Sequence, residues 1–133
     1  MIAAAMLMLL PLALRAQPVP LPDKPFAEHR IVLQLSDNDP KKEGLVLSVA
    51  NNLINAYGPD KIAVEVVAFG PGIDLLRTES ANRARVESLI WQGVRFDVCV
   101  NALDHIERRN RKRPAIPSKA TPVHGGHARD PSP

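Results

Sequence analysis

A chain of 133 residues, 45% hydrophobic and 23% charged, fits one compact domain that can bury a working core and leaves little room for a second. The formal charge of +3 at pH 7 is not evenly spread: Arg108, Arg109, Arg111, Lys112 and Arg113 form one run and the rest is close to neutral, which argues against a domain-wide anion-binding surface. The lone cysteine, Cys99, excludes an internal disulfide, and no CxxC or Cys/His zinc spacing is present.

The chain opens on MIAAAMLMLLPLALRAQPVPLPDKP. Ile2 to Leu14 is an apolar run of signal-peptide length, short of the about 20 residues of a comfortable membrane span. Cleavage is expected after Ala16, although Leu14 stands where a second small residue is usual, and Arg15 follows the apolar run where a positive charge normally precedes it. The expectation is export to the periplasm or beyond, with retention as a membrane anchor the alternative. Residues 1–16 are thus read as signal peptide or anchor, 17–29 as a Pro-rich linker, 30–114 as the domain and 115–133 as an irregular Pro/Gly/His tail.

Arg30 to Ser36, RIVLQLS, is a branched apolar run that suits a buried strand. Asp39-Pro40 then has the form of an N-cap with proline at the first helical position. Val46, Val49, Ala50, Leu53 and Tyr57 recur at helical spacing until Gly58-Pro59 stops them. Lys61 to Phe69, KIAVEVVAF, is a second buried strand, broken by Gly70-Pro71-Gly72. From Ile73 to Gln92 the pattern is helical in two pieces, with Leu75 and Leu76 in the first and Val86, Leu89 and Ile90 in the second. Ser80 is placed to cap the second piece, and Gly93 to end it. Val94 to Val100 is the third strand. Asn101 to about Arg113 is the third helix, with Asn101 as its expected cap and Asp104 favouring its exposed N–H groups. Lys119 to Val123 is at most an edge strand, because Pro122 argues against a central one.

Strands alternating with helices imply right-handed crossovers and an α/β domain of three layers, a mostly parallel sheet with helices on both faces. Chemistry in such sheets gathers at the carboxyl ends of the strands. Three loops share that rim: Asp37 to Pro40, Gly70 to Gly72, and Cys99 to Asn101. Cys99 therefore has two readings, a thiol presented at the rim or a small apolar core residue, the default role of a buried cysteine.

VEVVAFGPGIDLL from Val64 to Leu76, followed at helix distance by GVRFDVCVNAL from Gly93 to Leu103, resembles the DsrE-like (DsrE/DsrF-type) family, in particular its exported members. IVLQLSDNDP is similar to that family's first βα unit, and the likeness runs from about Ile31 to Pro114. The resemblance implies an α/β sheet fold, homo-oligomers, and a sulfur-relay role in which Cys99 holds sulfane sulfur as a persulfide, exchanged with donor and acceptor proteins. Neither a general base nor a metal or other cofactor is required. Supporting roles would fall to Asn101, whose helix offers N–H groups to the thiolate, to Arg95 on the same strand face, and to Gly70, Gly72, Asp37 and Asp39 on the rim. Two features depart from the family: Ala102 stands where relatives often have Thr, and relatives usually continue with another strand and a final helix. A sheet face lacking that cover would leave an apolar patch that favours self-association.

A non-catalytic homo-oligomeric module, with Cys99 structural and the rim binding a small ligand or partner, is the alternative. A nucleic-acid or membrane-surface role for Arg108 to Arg113 ranks below it, since stacking aromatics are absent near the run and a solvated helix end explains it. His124 and His127 supply too few ligands for a metal site. FGPGID lacks the dinucleotide fingerprint and the P-loop lysine and reads as a tight turn. Asp37, Asn38 and Asp39 are open to cation binding and to an N-capping turn alike. Glu65 and Asp97 suggest no catalytic pair.

Overall fold

The computed structural model describes residues 24–116 and 120–123. The proposed leader, most of the linker and the His124/His127 pair lie outside the described residues. The elements follow the expected alternation: β1 (His29–Leu35), α1 (Pro40–Tyr57), β2 (Ile62–Ala68), a 3-10 helix (Gly70–Leu76), α2 (Arg83–Trp91), β3 (Arg95–Cys99), α3 (Val100–Asn110) and β4 (Thr121–Val123). Among the described residues the sheet is four-stranded in the order β1-β2-β3-β4, and every pairing is parallel. The expected three-layer α/β class with a parallel sheet stands. Pro122 does fall on a strand, but on an edge one, where its missing N–H breaks no central ladder.

Alternation along each strand separates the two sheet faces. On one face Ile31, Leu33 and Leu35 of β1, Ile62, Val64, Val66 and Ala68 of β2, and Phe96 and Val98 of β3 join a continuous core with Leu47, Ala50 and Ile54 of α1, Val86 and Leu89 of α2, and Leu103 of α3. Each such fully buried large side chain contributes on the order of 1.5–3 kcal/mol of transfer free energy.

The other face carries Arg30, Val32 and Gln34, then Ala63, Glu65 and Val67, then Arg95, Asp97 and Cys99. Its burial is graded. Val67 and Asp97 are fully covered at the carboxyl end of the sheet, whereas Val32 on β1 is 45% exposed. Val32 is the one large apolar side chain left exposed on this face among the described residues, so a broad apolar patch is not found there.

The amphipathic stripe of α1 is rotated from the expected one. Its buried residues are Glu43, Leu47, Ala50 and Ile54, while Tyr57 is exposed. Val46 and Leu53 flank the stripe and are partly buried. Apolar residues lie on both stripes, and packing against the sheet selects the one that holds Leu47 and Ile54 together with the carboxylate Glu43.

Candidate functional site

Two of the three rim loops are tied together. Asp39 caps α1 as expected, its Oδ1 accepting from the Lys41 N–H at 2.8 Å, while Asp37 Oδ1 accepts from the Asp39 N–H at 2.9 Å and its other oxygen pairs with Lys42. This resolves the acidic loop as a capping turn. The Asn38 side chain then donates to Asp74 Oδ2 at 3.0 Å, joining the loop to the 3-10 helix, and Asp74 also pairs with Arg77 at 2.8 Å.

Gly70-Pro71-Gly72 begins that 3-10 helix rather than merely ending β2. Gly70 has φ +54°, and Gly72 is buried against the end of β1. The Phe69 N–H donates to the Leu35 carbonyl and the Gly72 N–H to the Phe69 carbonyl, each at 3.1 Å. The Gly72 donor is thereby engaged within the turn, as a tight turn requires and a phosphate cradle does not.

Cys99 ends β3 and is itself the N-cap residue of α3, with φ −70° and ψ 115°; its side chain makes no capping hydrogen bond. The expectation that Asn101 caps this helix is therefore corrected. Asn101 lies inside the first turn and is exposed. The reason is pairing: β3 stays in register with β2 through Val98 and with β4 through Cys99, so the chain leaves the sheet at Cys99 and helical geometry begins at Val100. The sulfur is consequently closer in sequence to the unbonded N–H groups of the first helical turn than the sequence implied.

Cys99 is a free cysteine, 5% exposed, on the second sheet face. Its cross-strand partner is Val123 of β4, which is also buried. Arg95 shares this face, but it stands four residues away, about 13 Å along the strand, and its cross-strand partner is Glu65. Its charge therefore belongs to the amino end of β3. The structure joins the first two rim loops and places Cys99 at the end of the neighbouring strand, with Asn101 two residues on in the first turn of α3 and Arg95 at the other end of β3.

Glu43 and Asn82 escaped sequence reasoning. Glu43 is 9% exposed, and its Oε2 accepts from the Asn82 side chain at 3.0 Å. Burial pushes its carboxyl above the ordinary glutamate range; the Asn82 hydrogen bond opposes this, and the nearby Asp74 and Asp39 reinforce it. The signal was the 4-3-4 spacing of Glu43, Leu47, Ala50 and Ile54. Ser80, expected as the cap of α2, precedes the cap position; its hydroxyl accepts from the Asn82 N–H at 3.2 Å and shapes the turn into the helix.

The basic run belongs to a solvated helix end. Arg108 and Arg109 occupy the last turn of α3, where cations complement the helix dipole, and Arg113 folds back onto Asp104 at 2.7 Å and Glu107 at 2.8 Å. Among the described residues, no group of three or more His, Cys, Asp or Glu side chains is arranged to hold a metal, and no helix is long and apolar enough to cross a membrane.

With this geometry, the chain is similar to a solved protein of unknown function, MTH1491 from Methanobacterium thermoautotrophicum. Identity is 28%, the TM-score is 0.65, and the match covers 74% of this chain and 85% of that one. The likeness is one of fold. No family model matches the chain, and no curated protein matches it.

Proposed function

We propose that the chain is an exported, homo-oligomeric DsrE-like protein that carries sulfane sulfur on Cys99. One observation carries this reading: the sole cysteine stands at the carboxyl end of a central parallel strand, as the N-cap residue of the following helix. That is where parallel α/β sheets collect their chemistry, and unbonded N–H groups of a first helical turn stabilise a thiolate. The Cys99 thiolate attacks the outer sulfur of a donor persulfide. The donor's S–S bond breaks, its inner sulfur leaves as a thiol, and a new S–S bond forms on Cys99. An acceptor thiolate then takes the outer sulfur in the same way and regenerates Cys99, with no net oxidation in either step.

The test is intact-mass analysis of the mature protein before and after exposure to a small persulfide donor. A gain of one sulfur atom, removed by cyanide and absent in Cys99→Ser, is expected. A folded protein that gains nothing sinks the proposal.

The near-complete burial of Cys99 favours a second reading, a non-catalytic oligomeric binding module in which the sulfur packs beside Val123 of the adjacent strand β4. Under that reading Cys99→Ser retains all function and the thiol reacts only when the protein unfolds.

A further inference from the structure

The two outer strands of the described sheet are built differently. β4 is three residues long and carries Pro122, which has no N–H to offer a further strand. β1, on the other side, is seven residues long, contains neither proline nor glycine, and keeps unbroken register with β2 from His29 to Leu35. The bonds at its ends fix its phase. The His29 N–H donates to the Lys61 carbonyl at 3.3 Å, and the Leu35 carbonyl accepts from the Phe69 N–H at 3.1 Å. His29, Ile31, Leu33 and Leu35 therefore turn their main-chain groups to β2, while Arg30, Val32 and Gln34 turn theirs to the outer edge. A long, flat edge of this kind is a template for another strand.

The helix above this edge is apolar on the same side. α1 lies over β1 and β2. One flank of α1 faces α2, where Ser48 accepts from Arg85 at 3.2 Å and Asn51 and Asn52 line the groove between the helices. Leu45, Val49 and Leu53, at four-residue spacing, occupy the opposite flank, which overlooks β1. Apolar surface is thus left in water on both sides of the β1 edge, with Leu45 63% exposed on the helix side and Val32 45% exposed on the other face of the sheet.

Both features are self-complementary. An antiparallel copy of β1 centred on Val32 sets Val32 against Val32 and Arg30 against Gln34, so every outward-turned residue meets another and no like charges oppose. On the helix side Ile31 meets Leu33. Neighbouring strands lie about 4.8 Å apart, so this pairing holds the two α1 helices about 10 Å apart, the spacing of packed helices. Leu45 then meets Leu53, and Val49 meets Val49, across the same two-fold axis.

We propose that a second copy of this chain pairs with β1, making one continuous sheet across a two-fold axis at Val32 with the α1 helices packed flank to flank. This gives the homo-oligomer proposed above its interface; it rests on that part of the reading and not on sulfur chemistry at Cys99.

Sedimentation velocity of the full chain measures assembly, and linking by a short bis-maleimide in a Cys99→Ser background measures which edges meet. The expected result is an assembly that links through Val32→Cys and not through Ser88→Cys on α2. Its dissociation constant should rise about tenfold or more in Leu45→Lys and in Val49→Lys, with unchanged far-UV circular dichroism. A monomer at every concentration overturns both the interface and the homo-oligomer, including the case in which the chain's own remaining residues cover β1. An assembly that persists in both lysine variants, or that leaves Val32→Cys unlinked, overturns the interface alone. Sulfur uptake at Cys99 is read separately by mass and is independent of either result.

Discussion

Gly72 lies directly against the main chain of Leu35: a Cβ at Gly72 would stand 2.0 Å from the Leu35 carbonyl oxygen and 2.7 Å from its carbonyl carbon. The 3-10 helix can cross the end of β1 only because this position has no side chain. That crossing seats Ile73, Leu75 and Leu76 in the core and brings Asp74 to Asn38.

Gly72→Ala is therefore expected to destabilise the domain by about 1–3 kcal/mol or more, because the obstructing atoms are backbone and cannot rotate away. Urea unfolding measures it. A midpoint equal to the parent's would mean that the 3-10 helix can shift without loss.

Capping distinguishes two residues that look alike in the sequence. Asp39→Ala removes the oxygen that accepts from the Lys41 N–H and should cost about 1 kcal/mol. Asn101→Ala, at an exposed position inside α3, should stay within about 0.5 kcal/mol of the parent. Equal losses in thermal melts would contradict the placement of the α3 cap at Cys99.

Glu43 predicts a pH dependence with a definite sign. Its carboxyl titrates higher in the folded chain than in the unfolded one, so between the two values the folded state holds more protons. Its stabilising contribution is complete below the unfolded value near 4.5 and is lost as pH rises through the raised folded value. Glu43→Gln keeps an oxygen for Asn82 and removes the charge. Melting temperatures taken from pH 4 to pH 8 should coincide for parent and variant at the acid end, with the variant the more stable at the neutral end. Parallel curves would show that burial does not perturb this carboxyl.

Val123 is the cross-strand partner of Cys99 and is itself buried. Val123→Ala thins that cover and is expected to raise the native alkylation rate of Cys99 severalfold while leaving the rate in denaturant unchanged. Equal native rates would place the covering atoms elsewhere.

Local chemistry made much of the fold legible. Branched apolar runs marked β1, β2 and β3, Asp39-Pro40 marked the start of α1, and Gly58 and Gly93 ended α1 and α2 at positive φ, because these features depend on residues close in sequence. GPGIDLL was less legible: its glycines read as a break, yet they start a 3-10 helix whose position depends on the distant end of β1.

By itself the sequence determined the order of elements, the parallel α/β class and the placement of Cys99 at the end of the third strand. Only the tertiary structure decided that α3 begins at Val100 and that the thiol packs beside Val123 on the second sheet face, because both depend on the register of β3 with β2 and β4. Burial of Glu43 was decided in the same way, since the face that α1 turns to the sheet depends on packing against strands far away in the chain. Strand periodicity is a local property of the backbone, whereas register and solvent exclusion arise only when distant segments meet.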